Sequence, residues 1–90
     1  MRTIGKKIDK VWFDKILAGD KSCEIRLADF EVSEGDTLVL REIDEARRYT
    51  GRQKSFKVTY CANTKGMEQC HSKQEIEKYG LWIMSIKPLE

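Results

Sequence analysis

The alternation of apolar and polar positions along the chain predicts a small sheet. Alternating runs predict four strands, at about residues 2–8, 22–27, 37–43 and 53–61. The run Leu81–Ile86 is apolar at consecutive positions, which predicts a central strand buried on both faces. With a helix after the first strand, the expected order is β-α-β-β-β-(α)-β, an α+β domain that is predominantly β.

A short helix is predicted between the first two strands. Four apolar residues share one helical face: Trp12, Phe13, Ile16 and Leu17. The carboxylate of Asp9 is expected to cap the helix, and Gly19 is expected to end it. A helix over residues 10–18 is too short to persist alone in water, so its apolar face must pack against the sheet. We therefore interpret Trp12 and Phe13 as core residues rather than as a surface on which bases stack.

The third and fourth strands are predicted to form a hairpin with a long charged tip, residues 44–51. Residues 41–57 contain three acidic and six basic residues, the latter being Arg41, Arg47, Arg48, Arg52, Lys54 and Lys57. Such a tip either contacts phosphates or keeps an exposed loop soluble. Residues 62–71 show no period and are predicted as a loop, and a second short helix between Ser72 and Tyr79 is an open alternative.

Composition indicates one domain, residues 1–90, with 40% apolar and 36% charged residues. No apolar run reaches the roughly 18 residues of a membrane span, and no signal-peptide pattern is present, so we expect a cytoplasmic protein. Three cysteines argue against a disulfide framework. The spacing of Cys61, Cys70 and His71 matches no zinc motif, and we expect neither a metal nor a cofactor. The net charge of +2 does not by itself indicate nucleic-acid binding.

Ionic chemistry is concentrated around the second strand. Alternation assigns the strand residues to two faces: Ser22, Glu24 and Arg26 on one, and Cys23, Ile25 and Leu27 on the other. The apolar face is predicted to join the core. Lys21 lies where the strand begins, so Lys21, Glu24 and Arg26 form either a solvated edge or the floor of a polar pocket. Ion pairs on sheet surfaces are common, and the pattern alone leaves both readings open.

These residues resemble the ASCH branch of the PUA-like superfamily. The segment Gly19-Asp20-Lys21-Ser22-Cys23-Glu24-Ile25-Arg26 is similar to the G-x-K-x-x-E-x-R signature that follows a short helix in that branch. Further similar segments are Val32-x-x-Gly35-Asp36, Leu38–Glu42, Tyr49–Arg52 and Tyr79–Ile83. The resemblance implies a pseudobarrel of about five to six mixed strands with one short helix packed on it. It also implies a cleft between helix and barrel, floored by the signature strand.

The function implied is binding of RNA or a nucleotide-like ligand. The ligand-contacting residues expected are Lys21, Ser22, Glu24, Arg26 and Tyr79, and the residues expected along a nucleic-acid backbone are Arg47, Arg48, Arg52 and Lys54. In this hypothesis Lys21 and Arg26 donate to phosphate or carbonyl oxygens, whereas Glu24 accepts from an exocyclic amine of a base.

Two alternatives remain open. Some relatives are amidohydrolases that remove the acetyl group from acetylated cytidine, and Lys21 and Glu24 are the candidate catalytic residues for such a reaction. Those enzymes carry a threonine where this chain has Glu24, and they use a further glutamate for which Glu68 and Glu75 are possible counterparts. We rate catalysis below binding. The second alternative is a regulatory protein-interaction domain that engages a partner through the hairpin tip.

Overall fold

The computed structural model describes residues 1–64 and 78–89, and the structural statements below concern these residues. The elements in order are β1 (Thr3–Asp9), α1 (Lys10–Leu17), β2 (Cys23–Leu27), β3 (Thr37–Ile43), β4 (Tyr49–Asn63) and β5 (Leu81–Pro88). The five predicted strands and the first helix are confirmed. The second short helix considered from the sequence falls almost entirely on residues outside the described part of the chain.

The five strands form one mixed sheet in the order β1-β3-β4-β5-β2. The β1–β3 pair is parallel and the other pairs are antiparallel. Register shifts interrupt the ladder between Arg41 and Ile43 and between Val58 and Tyr60. Such bulges bend strands and increase their twist, in keeping with a sheet that curls into a half-barrel. Strands β1 and β2 are left as the two edges.

The hydrophobic core lies between the sheet and α1. Its ten buried residues are Ile8, Phe13, Ile16, Val32, Leu38, Leu40, Phe56, Val58, Met84 and Ile86. The helix contributes Phe13 and Ile16, which are three residues apart and therefore share one face. Burial of this face offsets the weak intrinsic stability of an eight-residue helix.

Strand β2 faces the opposite way from the prediction. Glu24 is buried, with 4% exposure, whereas Ile25 is 59% exposed and Cys23 lies on the surface. The predicted core face is therefore the outer face, because β2 is an edge strand whose polar side turns inward. Strand β5 lies inside the sheet as predicted, but Ile83 is 38% exposed, so β5 is buried on one face rather than two.

The two ends of α1 differ in how well the sequence predicts them. Asp9 occupies the N-cap position, but its side chain makes no capping hydrogen bond, which corrects the expectation. At the other end Gly19 has a φ of 84°. The Gly19 N–H donates to the Ile16 carbonyl at 3.1 Å and the Asp20 N–H to the Lys15 carbonyl at 3.0 Å. This pair of bonds is a Schellman motif, and it directs the chain from the helix into β2.

The hairpin tip between β3 and β4 is shorter than predicted. Tyr49 already pairs with Ile43, so the connection spans only residues 44–48. The Asp44 carboxylate accepts hydrogen bonds from the backbone N–H groups of Ala46 and Arg48, both at 2.9 Å. Arg47, between them, has a φ of 64°, a conformation that few non-glycine residues adopt.

Candidate functional site

An open cleft of about 430 Å³ lies beside the edge strands of the half-barrel. Both edge strands line it, together with the start of α1 and the hairpin tip. The polar and aromatic side chains in its walls are Lys7, Asp9, Trp12, Lys21, Glu24, Arg26 and Arg47. The structure thus places the predicted Lys21, Glu24 and Arg26 group in a recess with α1 as one wall.

Glu24 is the centre of this group. Lys21 Nζ donates to Glu24 Oε1 at 2.5 Å, and Arg26 Nε donates to Glu24 Oε2 at 2.9 Å. Lys21 Nζ also donates to the Cys23 carbonyl at 2.5 Å. Each carboxylate oxygen therefore accepts a bond from a different cation, so the charge of Glu24 is compensated despite its burial.

The two cations keep donors available on the cleft side. The side chains of Lys21 and Arg26 are 25% and 24% exposed, respectively. A guanidinium has five N–H donors, and of these only the Nε–H of Arg26 is used within the described residues. The Nη groups of Arg26 can therefore bind a carboxylate or phosphate in a two-point contact.

Trp12 is a site residue that the sequence reasoning assigned wrongly. Phe13 is a core residue with 1% exposure, as predicted, but Trp12 is 48% exposed and lines the cleft. Adjacent helix positions differ by about 100° in direction, so Trp12 points well away from the direction of Phe13. Leu17, also predicted on the packing face, is 43% exposed, so the buried face of α1 is limited to Phe13 and Ile16. Because all four apolar residues fit one wide stripe, the sequence carries no signal that singles out Trp12.

The lining of the cleft favours an anion. Its basic side chains are Lys7, Lys21, Arg26 and Arg47, and its acidic side chains are Asp9 and Glu24. Four positive groups against two negative groups leave a formal charge of +2. A recess whose lining has a net charge of one sign attracts ligands of the opposite sign.

Two other residues predicted to contact a ligand do not line the cleft. Ser22 precedes β2 and is exposed, and its carbonyl accepts the Ile86 N–H at 3.0 Å. Tyr79 is half-buried, with Lys78 Nζ 5.0 Å from its ring centroid. The structure therefore brings together Lys21, Glu24 and Arg26 but not the whole predicted set.

The arginines of the predicted backbone-binding set lie in different surroundings. Arg47 lines the cleft, whereas Arg48 lies in a second cavity of about 930 Å³ and pairs with Asp44 at 3.5 Å. Lys54 is half-buried. Arg52 is engaged in a second ionic cluster with α1. Of the four residues, only Arg47 is placed to approach a ligand in the cleft.

This second cluster, which we term the helix clamp, consists of Asp14, Glu42, Thr50 and Arg52. Arg52 Nε donates to Glu42 Oε1 at 3.0 Å, and Arg52 Nη2 contacts Glu42 Oε2 and donates to Asp14 Oδ1 at 2.8 Å. The Thr50 hydroxyl donates to Glu42 Oε1 at 2.8 Å. Because Asp14 lies on α1, the clamp ties the helix to the β3–β4 hairpin.

Electrostatics in the helix clamp favour the charged forms. Hydrogen bonds from Arg52 and Thr50 hold the pKa of Glu42 below its usual value, and bonds from Lys10 and Arg52 lower the pKa of Asp14. The same contacts raise the pKa of Arg52. The Arg52 guanidinium also lies 5.2 Å from the centroid of the Phe13 ring, a cation–π distance.

Other predicted features concern metals, catalysis and membranes. Within residues 1–64 and 78–89, no three His, Cys, Asp or Glu side chains are grouped to hold a metal ion. Glu68, Cys70, His71 and Glu75 lie outside the described residues. The same part of the chain holds no helix with the length and apolar character needed to cross a bilayer.

The fold and cleft define a small half-barrel domain with a recess, lined by charged side chains, beside its edge strands. Residues 5–73 match the model of a family described as a domain of unknown function, DUF3850, and the chain belongs to this family. The crystal structure of the hypothetical protein PH0355 is similar, with a TM-score of 0.64 and 20% identity over 99% of this chain and 100% of that chain. At that identity the likeness shows a shared fold. None of the curated proteins compared with the chain matches it.

Proposed function

We propose that the protein is an RNA- or nucleotide-binding module of the PUA-like type that takes its ligand in the cleft. The observation that carries the proposal is the Lys21–Glu24–Arg26 group in a recess beside an exposed tryptophan. The resemblance of the Gly19–Arg26 segment to the ASCH signature supports it, because that signature floors the ligand cleft in the relatives it resembles.

The chemistry of the lining fits such a ligand. Lys21 and Arg26 provide cationic donors that suit phosphate and carbonyl oxygens. An aromatic ring gives a base a surface on which to stack, which contributes about 1–3 kcal/mol per base in single-strand binding proteins. The half-exposed Trp12 ring supplies that surface. A volume of about 430 Å³ suits a ligand of nucleotide size.

Binding is favoured over hydrolysis of an acetylated nucleoside. A general base needs an oxygen that is free to take a proton from water. Both oxygens of Glu24 already accept hydrogen bonds from cations, so neither is free for a substrate water. Lys21 and Glu24 are therefore better suited to holding a ligand than to turning it over.

The proposal is tested by fluorescence anisotropy with a labelled 12-nucleotide single-stranded RNA at 50 mM salt. We expect measurable binding that weakens about tenfold or more in Lys21→Ala, because a hydrogen bond to a charged group is lost. Lys15→Ala is the matched control, since Lys15 is exposed on α1 and does not line the cleft.

Thermal unfolding of both variants separates binding from folding. Arg26 still pairs with Glu24 when Lys21 is absent, so the midpoint of Lys21→Ala should stay within a few degrees of the parent. An absence of binding at 50 mM salt to both the RNA and the nucleoside 5′-monophosphates, or equal affinities in the two variants, would contradict the proposal.

A further inference from the structure

We infer that the cleft selects a nucleoside that carries a phosphomonoester, with Glu24 holding Lys21 and Arg26 in place for the phosphate. This inference rests on the proposed function and narrows its ligand. It assigns Glu24 the role of a positioning residue, which differs from the sequence-based hypothesis that Glu24 accepts a bond from a base.

The hydrogen bonds of Glu24 lead to this role. A carboxylate that reads an exocyclic amine must present a free oxygen to the ligand. Glu24 is 4% exposed, and its two oxygens are bonded to Lys21 and Arg26 at 2.5 and 2.9 Å. Its contacts are therefore directed at the two cations, whose orientation it fixes.

The remaining donors and charge match a terminal phosphate. The lining of the cleft carries four basic and two acidic side chains, a formal charge of +2. A phosphomonoester carries about −1.5 to −2 at pH 7, whereas a phosphodiester within a chain carries −1. The Nη groups of Arg26 and the quarter-exposed ammonium of Lys21 can together contact several phosphate oxygens.

Trp12 supplies the second half of the recognition. Trp12 is 48% exposed and lines the same cleft as the Glu24 group. The volume of the cleft, about 430 Å³, is in the range of pockets that bind one small ligand such as a nucleotide. The ligand class is thus a planar base with a monoester phosphate, either a free nucleotide or the phosphorylated end of a strand.

Isothermal calorimetry at pH 7.5 and 50 mM salt tests the selectivity. The probes are the four nucleoside 5′-monophosphates against their parent nucleosides, and a trinucleotide with a 5′-phosphate against the same sequence with a 5′-hydroxyl. We expect the phosphorylated member to bind at least about tenfold tighter in one pairing or both, as expected for charge-assisted bonds. Which pairing shows the preference identifies the source of the phosphate.

Glu24→Gln tests the positioning role through the ratio of affinities within a pair. This change raises the positive charge of the cleft by one, so attraction by net charge alone would increase the preference for phosphate. Loss of positioning would instead bring the ratio close to one. A ratio that rises in Glu24→Gln contradicts the assigned role of Glu24.

Arg26→Lys provides a second variant that keeps the charge and removes the two-point fork. We expect its phosphate preference to fall severalfold, and an unchanged preference contradicts the role of Arg26. Trp12→Leu should weaken both members of a pair by a similar factor and leave the ratio unchanged.

The outcomes for the two proposals are distinguishable. Equal affinities for phosphorylated and unphosphorylated members overturn the phosphate selectivity and leave the proposed function standing. Absence of binding to every nucleoside, nucleotide and RNA overturns both.

Discussion

Two glutamates in this domain are equally buried but differ in the number of cations that bond them. Glu24 and Glu42 are each 4% exposed, and each is bonded by an arginine side chain. Around Glu24 the partners are two cations, whereas around Glu42 one cation serves two carboxylates, Glu42 and Asp14. Lys10 also pairs with Asp14, so the charges of the helix clamp and Lys10 balance, whereas the group around Glu24 has an excess of positive charge.

The two cavities beside these groups also differ in the net charge of their linings. The second cavity is lined by Arg48 and Lys10 as its basic residues, against five acidic ones: Asp9, Asp14, Glu42, Asp44 and Glu45. It is larger than the cleft, about 930 against 430 Å³, yet its charge repels phosphates. A buried ion pair therefore indicates a ligand site only when its unused donors open onto a recess of matching charge.

The largest expected effect is a difference in the free energy of unfolding between variants of Phe13 and Trp12. Phe13 packs in the core and against Arg52, so Phe13→Ala should lower the free energy of unfolding by about 3–5 kcal/mol. Trp12→Ala should cost less than about 1 kcal/mol, because Trp12 is already 48% exposed to water. Urea denaturation measures both. Similar losses in the two variants would show that Trp12 also belongs to the core.

The next effect concerns the helix clamp. Arg52→Ala leaves the buried Glu42 carboxylate with only the Thr50 hydroxyl as a side-chain partner, so we expect the thermal midpoint to fall by roughly 10 °C. RNA affinity should change by less than about twofold, because Arg52 does not line the cleft.

Arg48→Ala serves as the control for this prediction, since the Arg48 side chain is 78% exposed. Its midpoint should shift by no more than about 2 °C. Strong loss of RNA binding in Arg52→Ala at unchanged stability would place Arg52 in the ligand interface and remove the distinction between the two clusters.

The smallest effect distinguishes the two arginines of the hairpin tip by their salt dependence. Single strands lose affinity with a slope of about −0.7 in log–log form for each phosphate contact. Arg47→Ala should therefore make the slope of RNA affinity against salt concentration shallower by about 0.7. Arg48→Ala should leave the slope unchanged. A slope in Arg47→Ala that also stays unchanged would show that Arg47 does not contact a phosphate of the RNA.

The sequence predicted those features that depend on neighbouring residues. The alternating runs, the Schellman end at Gly19 and the position of Lys21 at the mouth of β2 were all visible in short segments. They placed Lys21, Glu24 and Arg26 at one end of β2, but left open whether these residues form a solvated edge or a polar pocket. The resemblance of the Gly19–Arg26 segment to a known signature pointed to the same strand.

Features that depend on distant contacts could not be predicted in this way. Which side of β2 is buried depends on its place at the sheet edge, where ion pairing compensates the buried Glu24. The role of Arg52 depends on Asp14, 38 residues away in the chain. Trp12 and Phe13 could not be told apart, because each belongs to a plausible apolar stripe.

The pairing of β2 has a consequence for the order in which the recess can form during synthesis. Within residues 1–64 and 78–89, β2 has a single neighbour in the sheet, β5, and Cys23 lies opposite Ser85. Among the described residues, the floor of the recess therefore has no paired strand until β5 has left the ribosome. A chain truncated before Leu81 would contain Lys21, Glu24 and Arg26 and still lack a place to hold them together.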